Sequence, residues 1–196
     1  TANSGKLADA CYDLRDRGRR KRDAYTIGWN YRISEILSAV LIEQLAKYPG
    51  QLEARNRNAS YLNKELGKVK GIRLLYDDPR ITKQGYSIFF FKVDEQEFGI
   101  DKKRFLEALG AEGIPVWAGH PPAYGNSLLR KNLLYKHLPC LRHKIDYSGV
   151  YCPETEKAYF REAICLSHAC LLGNKDDMND IVKAVVKIRE NKGELK

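Results

Sequence analysis

Apolar positions along this chain recur with two periods. From residue 33 to residue 45 they fall at Ile33, Ile36, Leu37, Val40, Leu41 and Leu45, the three-to-four spacing of one helical face. Ser34 stands where an N-cap would, its hydroxyl able to accept a backbone N–H that has no partner inside the helix. The pattern predicts a core helix anchored on that face, which in turn supports the polar loop before it, with Gly28, Asn30 and Arg32. Pro49-Gly50 is expected to interrupt the helix. A second helix then resumes toward Leu66, with Leu52, Ala59, Leu62, Leu66 and Val69 on one side. Upstream, residues 6–17 read as a further helix.

The other period is that of strands. Residues 86–93, rich in aromatic and β-branched side chains, form the strongest strand candidate, and residues 71–75 a shorter one. Asp77-Asp78-Pro79 between them is turn chemistry. Asp101 can cap a helix carrying Phe105, Leu106 and Leu109. Gly113 closes it, and residues 114–117 are the next strand candidate. A long loop from Ala118 to about Tyr151 follows, rich in Pro, Gly, Asn and His. Loops of that length inside compact domains are usually functional or disordered, so this one is a candidate substrate lid. Pro153 suits the first turn of a helix running toward Arg161. Residues 163–167 read as a strand, and residues 176–191 as an amphipathic helix with Ile181, Val182, Val185 and Ile188. The expected fold is a small α/β domain, strands in one layer and helices in the other, led by two long helices.

Composition narrows the setting. A chain of 196 residues with 43% apolar content can bury a real core. No apolar run approaches the roughly 20 residues of a membrane span. The five cysteines are an odd number without a small-domain framework, so a reduced, cytoplasmic setting is the simpler expectation. Cys140 with His143 and Cys165 with His168 share a spacing that zinc sites use. Cys165 lies in a predicted buried strand whose successive residues point to opposite faces, and no metal is expected. The net charge of +9 is partly local, with Arg17, Arg19, Arg20, Lys21 and Arg22 in one run. Phosphate neutralisation is the generic use of such a run. With no nucleic-acid module or stacking platform around it, it is read as a solvated loop or a subunit contact. Thr1 stands where a start Met would, with no signal pattern, and the sequence is expected to begin inside a protein.

Gly28-Trp29-Asn30-Tyr31-Arg32 followed by Ser34-Glu35, an Ala-containing helix and Gln44-Leu45 resembles the signature of the DegT-type sugar aminotransferases, fold-type I enzymes that use pyridoxal phosphate. The resemblance continues in order through residues 55–62, Gly71-Ile72, 86–93, 105–109, Gly113-Ile114-Pro115, 152–156 and 176–181. It implies that residues 1–33 are the end of the large cofactor domain with an interface loop. Residues 34–70 would then be linking helices, and residues 71–196 the C-terminal small α/β domain, a short sheet packed by helices.

Cofactor-dependent transamination needs a Schiff-base lysine, a carboxylate for the pyridine nitrogen, a ring platform and phosphate donors. By the resemblance the first three lie upstream, with the lysine before Thr1, so this chain holds no catalytic residue of its own and is expected to be inactive alone. Asn30 is implied to reach across a homodimer interface to the partner's cofactor phosphate. Arg32 is a candidate for substrate anions or for an interface pair, with a structural salt bridge to Glu35 as the alternative. The loop from Gly119 to Asn126 resembles the segment that closes over substrate. There His120 and Tyr124 are candidates for hydrogen bonds to ring hydroxyls, and His168 is a further candidate at a strand end. The motifs are most similar to the cyclitol branch, which aminates scyllo-inosose-type ketones with glutamine or glutamate as donor. A cofactor-dependent sugar dehydratase of the same family and a non-catalytic basic nucleic-acid-binding module are the alternative readings.

Overall fold

The computed structural model describes residues 2–20, 23–75, 78–131, 133 and 146–195. It divides into two units, Thr1–Pro49 and Gly50–Lys196.

The second unit is built on an antiparallel sheet. Its longest strand, Ile88–Val93, alternates half-buried and buried positions, so Phe89, Phe91 and Val93 face the core. With the chain's strands numbered β1 (Arg19–Arg20), β2 (Asp23–Ala24), β3 (Ile72–Leu74), β4 (Ile88–Val93), β5 (Val116–Trp117) and β6 (Ala163–Ser167), the order in this sheet is β3-β4-β6-β5. The register pairs Phe90 with Cys165 and Trp117 with Cys165 on the two sides of β6. As the central strand, β6 is buried along Ala163–Leu166.

The helices in chain order are α1 (Gly5–Arg15), α2 (Glu35–Leu66), α3 (Glu95–Phe98), α4 (Lys102–Ala111), α5 (Ser127–Arg130), α6 (Pro153–Lys157) and α7 (Lys175–Glu190). One face of the sheet packs against Ala59, Leu62 and Leu66 of α2, Phe105 and Leu109 of α4, and Met178, Ile181, Val185 and Ile188 of α7. Phe105 meets Phe91 and Phe98 edge-on, with ring centroids 6.2 and 5.1 Å away, a favoured aromatic geometry. The caps follow from sequence. Asp101 accepts the Arg104 N–H at 2.8 Å, and Asn174 with Asp177 forms a capping box at the start of α7. Asn58, buried in α2, donates to the carbonyls of Leu171 and Gly173 at 2.9 and 2.8 Å, holding the turn after β6.

The first unit has no comparable core. Two expectations fail here. The Ile33–Leu45 face is not buried: Ile36 is 80% exposed, Leu45 66% and Leu37 59%. The periodicity is real, but no described residue of this unit buries that face. Nor does Pro49-Gly50 interrupt the helix, because α2 carries Pro49 in its interior. A proline there removes one i→i−4 bond, and the helix continues on its other bonds.

Candidate functional site

The loop with Asn30 and Arg32 is held from behind, by α1. A helix leaves its last four carbonyls without partners. In α1 these are Tyr12 to Arg15, and they accept N–H groups from Asp16 (3.1 Å), Gly18 (2.7 Å), Trp29 (2.8 Å) and Tyr31 (3.0 Å). Arg17 N–H returns to the Trp29 carbonyl at 2.8 Å, and Asp16 bridges to Asn30 as in a sheet. So the residues on either side of Asn30 complete the end of α1. The helix after the loop, expected to be its support, contributes the Ser34 cap, whose hydroxyl accepts Leu37 N–H at 3.3 Å.

The close approach needs glycine twice. A Cβ on Gly18, whose φ is +71°, would meet the Thr26 carbonyl, and a Cβ on Gly28 would lie 2.3 Å from Gly18 N and 2.9 Å from the Asp13 carbonyl. Asn30 is exposed on this fixed backbone. Trp29 and Tyr31 flank it with stacked rings 5.8 Å apart.

Arg32 has a partner, and it is Asp16 rather than Glu35. Both side chains are about two-fifths exposed, so this is a solvated structural pair. In the basic run, Arg20 is committed to the buried carboxylate of Asp13 and stacks over Tyr25, 4.4 Å from its ring centroid. Lys21 and Arg22 lie outside the described residues, as do Cys140 and His143. Among the described residues no group of His, Cys, Asp and Glu is placed to hold a metal ion. No described helix is long and apolar enough to cross a membrane.

In the second unit, His120 and His168 are exposed and Tyr124 is half-buried. The Tyr124 hydroxyl donates to Glu156 Oε1 at 2.6 Å and accepts Cys152 N–H at 3.4 Å. The hydrogen bond to Glu156, with burial adding to it, raises the Tyr124 pKa and keeps the phenol neutral. Beside this pair is an open cleft lined by Tyr151, Glu154, Lys157, Phe160 and Arg161. Tyr124 is thus tied to the segment that feeds β6, whereas His168 leaves β6 at its other end. No hydrogen bond joins His120, Tyr124 and His168 among the described residues.

Lys102 was not legible as a site residue, although it shares a helical stripe with Phe105 and Leu109. It is 5% exposed, and its ammonium donates to the carbonyls of Ala118 (3.1 Å) and Tyr159. Burial lowers its pKa, with the neighbouring Cys165 acting the other way. Being the only buried lysine among the described residues, and occupied by two carbonyls, it is not free for a cofactor. Of the groups that pyridoxal phosphate needs, the described residues offer one whose chemistry fits, the exposed neutral amide of Asn30, which could donate to a phosphate oxygen.

The sequence profile of the DegT/DnrJ/EryC1/StrS aminotransferase family matches residues 1–186. The chain belongs to that family. It is 31% identical over 176 residues to a putative L-glutamine:3-amino-2,3-dideoxy-scyllo-inosose aminotransferase of Micromonospora echinospora, a match covering 86% of this chain and 42% of that protein. It is 33% identical over 174 residues to an L-glutamine:2-deoxy-scyllo-inosose aminotransferase of Streptoalloteichus tenebrarius, covering 87% of this chain and 41% of that one. This DegT-family chain thus spans about two-fifths of the length of the curated relatives it matches. Among solved structures it is similar to 3-amino-5-hydroxybenzoic acid synthase, with a TM-score of 0.74 at 17% identity over 96% of this chain and 48% of that one. A Helicobacter pylori aminotransferase involved in the biosynthesis of pseudoaminic acid gives 0.71 at 23% identity, over 97% of this chain and 48% of that one. The α/β fold expected from sequence is the fold of these DegT-family neighbours.

Proposed function

We propose that this chain is the C-terminal part of a pyridoxal-phosphate-dependent aminotransferase that moves an amino group from L-glutamine to a keto-cyclitol. The observation that carries the reading is the family match over nearly the whole chain, with relatives named for that donor and those ketones. The cofactor supplies the electron sink for amino transfer. Its lysine, ring carboxylate and platform would come from sequence outside this chain, whose residues 1–33 would complete the cofactor domain and residues 71–196 form the small domain.

Asn30 would donate its amide N–H to a phosphate oxygen of a second copy's cofactor. The α1 bonds on either side of it support that role, because a donor on fixed backbone loses little freedom on binding. The bare Ile33–Leu45 face supports a homodimer, since an apolar face of this kind marks an interaction surface. Arg32 would keep its Asp16 pair at that interface. His120 would hydrogen-bond a ring hydroxyl of the ketone. Tyr124, its proton held by Glu156, would offer a lone pair, and His168 would be a polar neighbour of the site. The setting would be the cytoplasm.

The test is Asn30→Ala in the full-length protein. The expected result is a cofactor dissociation constant raised about tenfold, the loss of one charge-assisted hydrogen bond of roughly 1.4 kcal/mol. An unchanged constant removes Asn30 from the cofactor site.

A further inference from the structure

Lys102 is an expensive residue where it stands. A buried ammonium with no carboxylate partner among the described residues loses its hydration for two neutral acceptors. It also occupies the first position of α4, the positive end of the helix dipole, where a cation is disfavoured. An apolar side chain of similar length would fill the space without either cost. What the ammonium does there is join two segments. The Ala118 carbonyl is the point where the chain leaves β5, and the Tyr159 carbonyl lies in the widened turn of residues 158–162, just before β6. Carbonyls at the end of a helical segment lack intrahelical partners, and Lys102 supplies one.

A second fastening lies six residues along the same loop, where Tyr124 donates to Glu156 and accepts from Cys152 N–H. Between the two, Gly119 has φ +81°, and a Cβ there would lie 3.3 Å from Cys165 Sγ, so the chain runs hard against β6. Pro121 and Pro122 fix two further φ angles. Residues 118–124 therefore form an arch pinned at both feet onto residues 152–162, with Pro122 buried and His120 exposed between them.

We propose that Lys102 and Glu156 are positioning residues that pin this arch, so that His120 and Tyr124 meet the keto acceptor already in place. The inference rests on the reading of residues 119–126 as the acceptor-facing loop. Pinning removes an ordering cost that a free loop would meet at each binding event. Neither residue touches the substrate in this scheme.

The experiment uses the full-length protein with Lys102→Met and, separately, Glu156→Ala. Glu156 is only partly buried, so its variant carries the test if Lys102→Met does not fold. Amide hydrogen exchange of residues 119–126 is compared with that of residues 102–111, and the half-reactions with glutamine and with 2-deoxy-scyllo-inosose are measured apart. The expected result is exchange of the arch faster by about tenfold with α4 unchanged. The acceptor kcat/KM falls about tenfold while the glutamine half-reaction stays within about twofold. Lys102→Arg, which keeps the charge and the donors, restores much of the protection. Unchanged arch exchange in the folded variants overturns the pinning. Faster exchange with both half-reactions intact leaves the pinning but removes the loop from the acceptor site, and with it the positioning role. Equal loss in both half-reactions marks general destabilisation and overturns the proposal.

Discussion

The two units differ in what holds them. Every buried apolar side chain among the described residues lies between Ala59 and Ile188, in the second unit. In the first, the buried residues are Asp13 and Gly18, and the shape is kept by backbone hydrogen bonds at the end of α1 and by the Asp13–Arg20 pair. Yet the first unit carries the apolar side chains for a core of its own: Ile27, Trp29, Tyr31, Ile36 and Leu45 are all more than half exposed. The second unit encloses its apolar side chains. The first leaves its own bare.

The sharpest way to break this contrast is a pair of truncations in this chain. Phe105→Ala, at a fully buried position between two rings, is expected to cost about 3–5 kcal/mol in denaturant unfolding. Leu41→Ala, on the bare face of α2, is expected to stay within about 0.5 kcal/mol. Similar costs for the two would mean that the face is covered in solution. Gly28→Ala tests the backbone basis of the first unit. Its new methyl would press on Gly18 and Asp13, at an expected cost of about 1–3 kcal/mol. The signal is faster amide exchange at Trp29 and Tyr31, and retained protection there would place the support elsewhere. Asn58→Ala leaves one buried and one half-buried carbonyl short of a donor and should lower stability by about 1–2 kcal/mol, read from the unfolding midpoint at constant slope.

The smallest effect expected is that of pH. Burial works against the Glu162 carboxylate, but hydrogen bonds from Lys157 and Lys92 outweigh it, and its pKa lies below the ordinary value. Its stabilising contribution is therefore complete above the usual carboxylate range and is lost as pH falls through the folded-state value. Glu162→Gln should flatten the acid limb of the stability profile while leaving the first unit's amide exchange untouched. A limb equally steep in the variant assigns the acid sensitivity to other carboxylates.

How far the sequence could be read follows the same division. The Ile88–Val93 strand, the last helix and the cap at Asp101 were legible, because each depends on neighbours in sequence or on a face buried within the chain, whereas the Asn174 cap of that helix was not read. The face of α2 was legible as apolar but not as bare, since periodicity reports that a side chain is to be covered and is silent on what covers it. Asp16 as the partner of Arg32 was hidden because the two meet only after the loop folds back on α1. Lys102 broke the stripe of Phe105 and Leu109, and a charge on an apolar stripe was the one available sign that it had buried acceptors.

The order of the four-stranded sheet has one more consequence. Its edges are β3 and β5, three and two residues long. Strands so short offer few open N–H and C=O groups for another chain to pair with, which guards against edge-to-edge growth into fibrils. The sheet is thereby closed to extension at both ends by the shortness of its own outer strands.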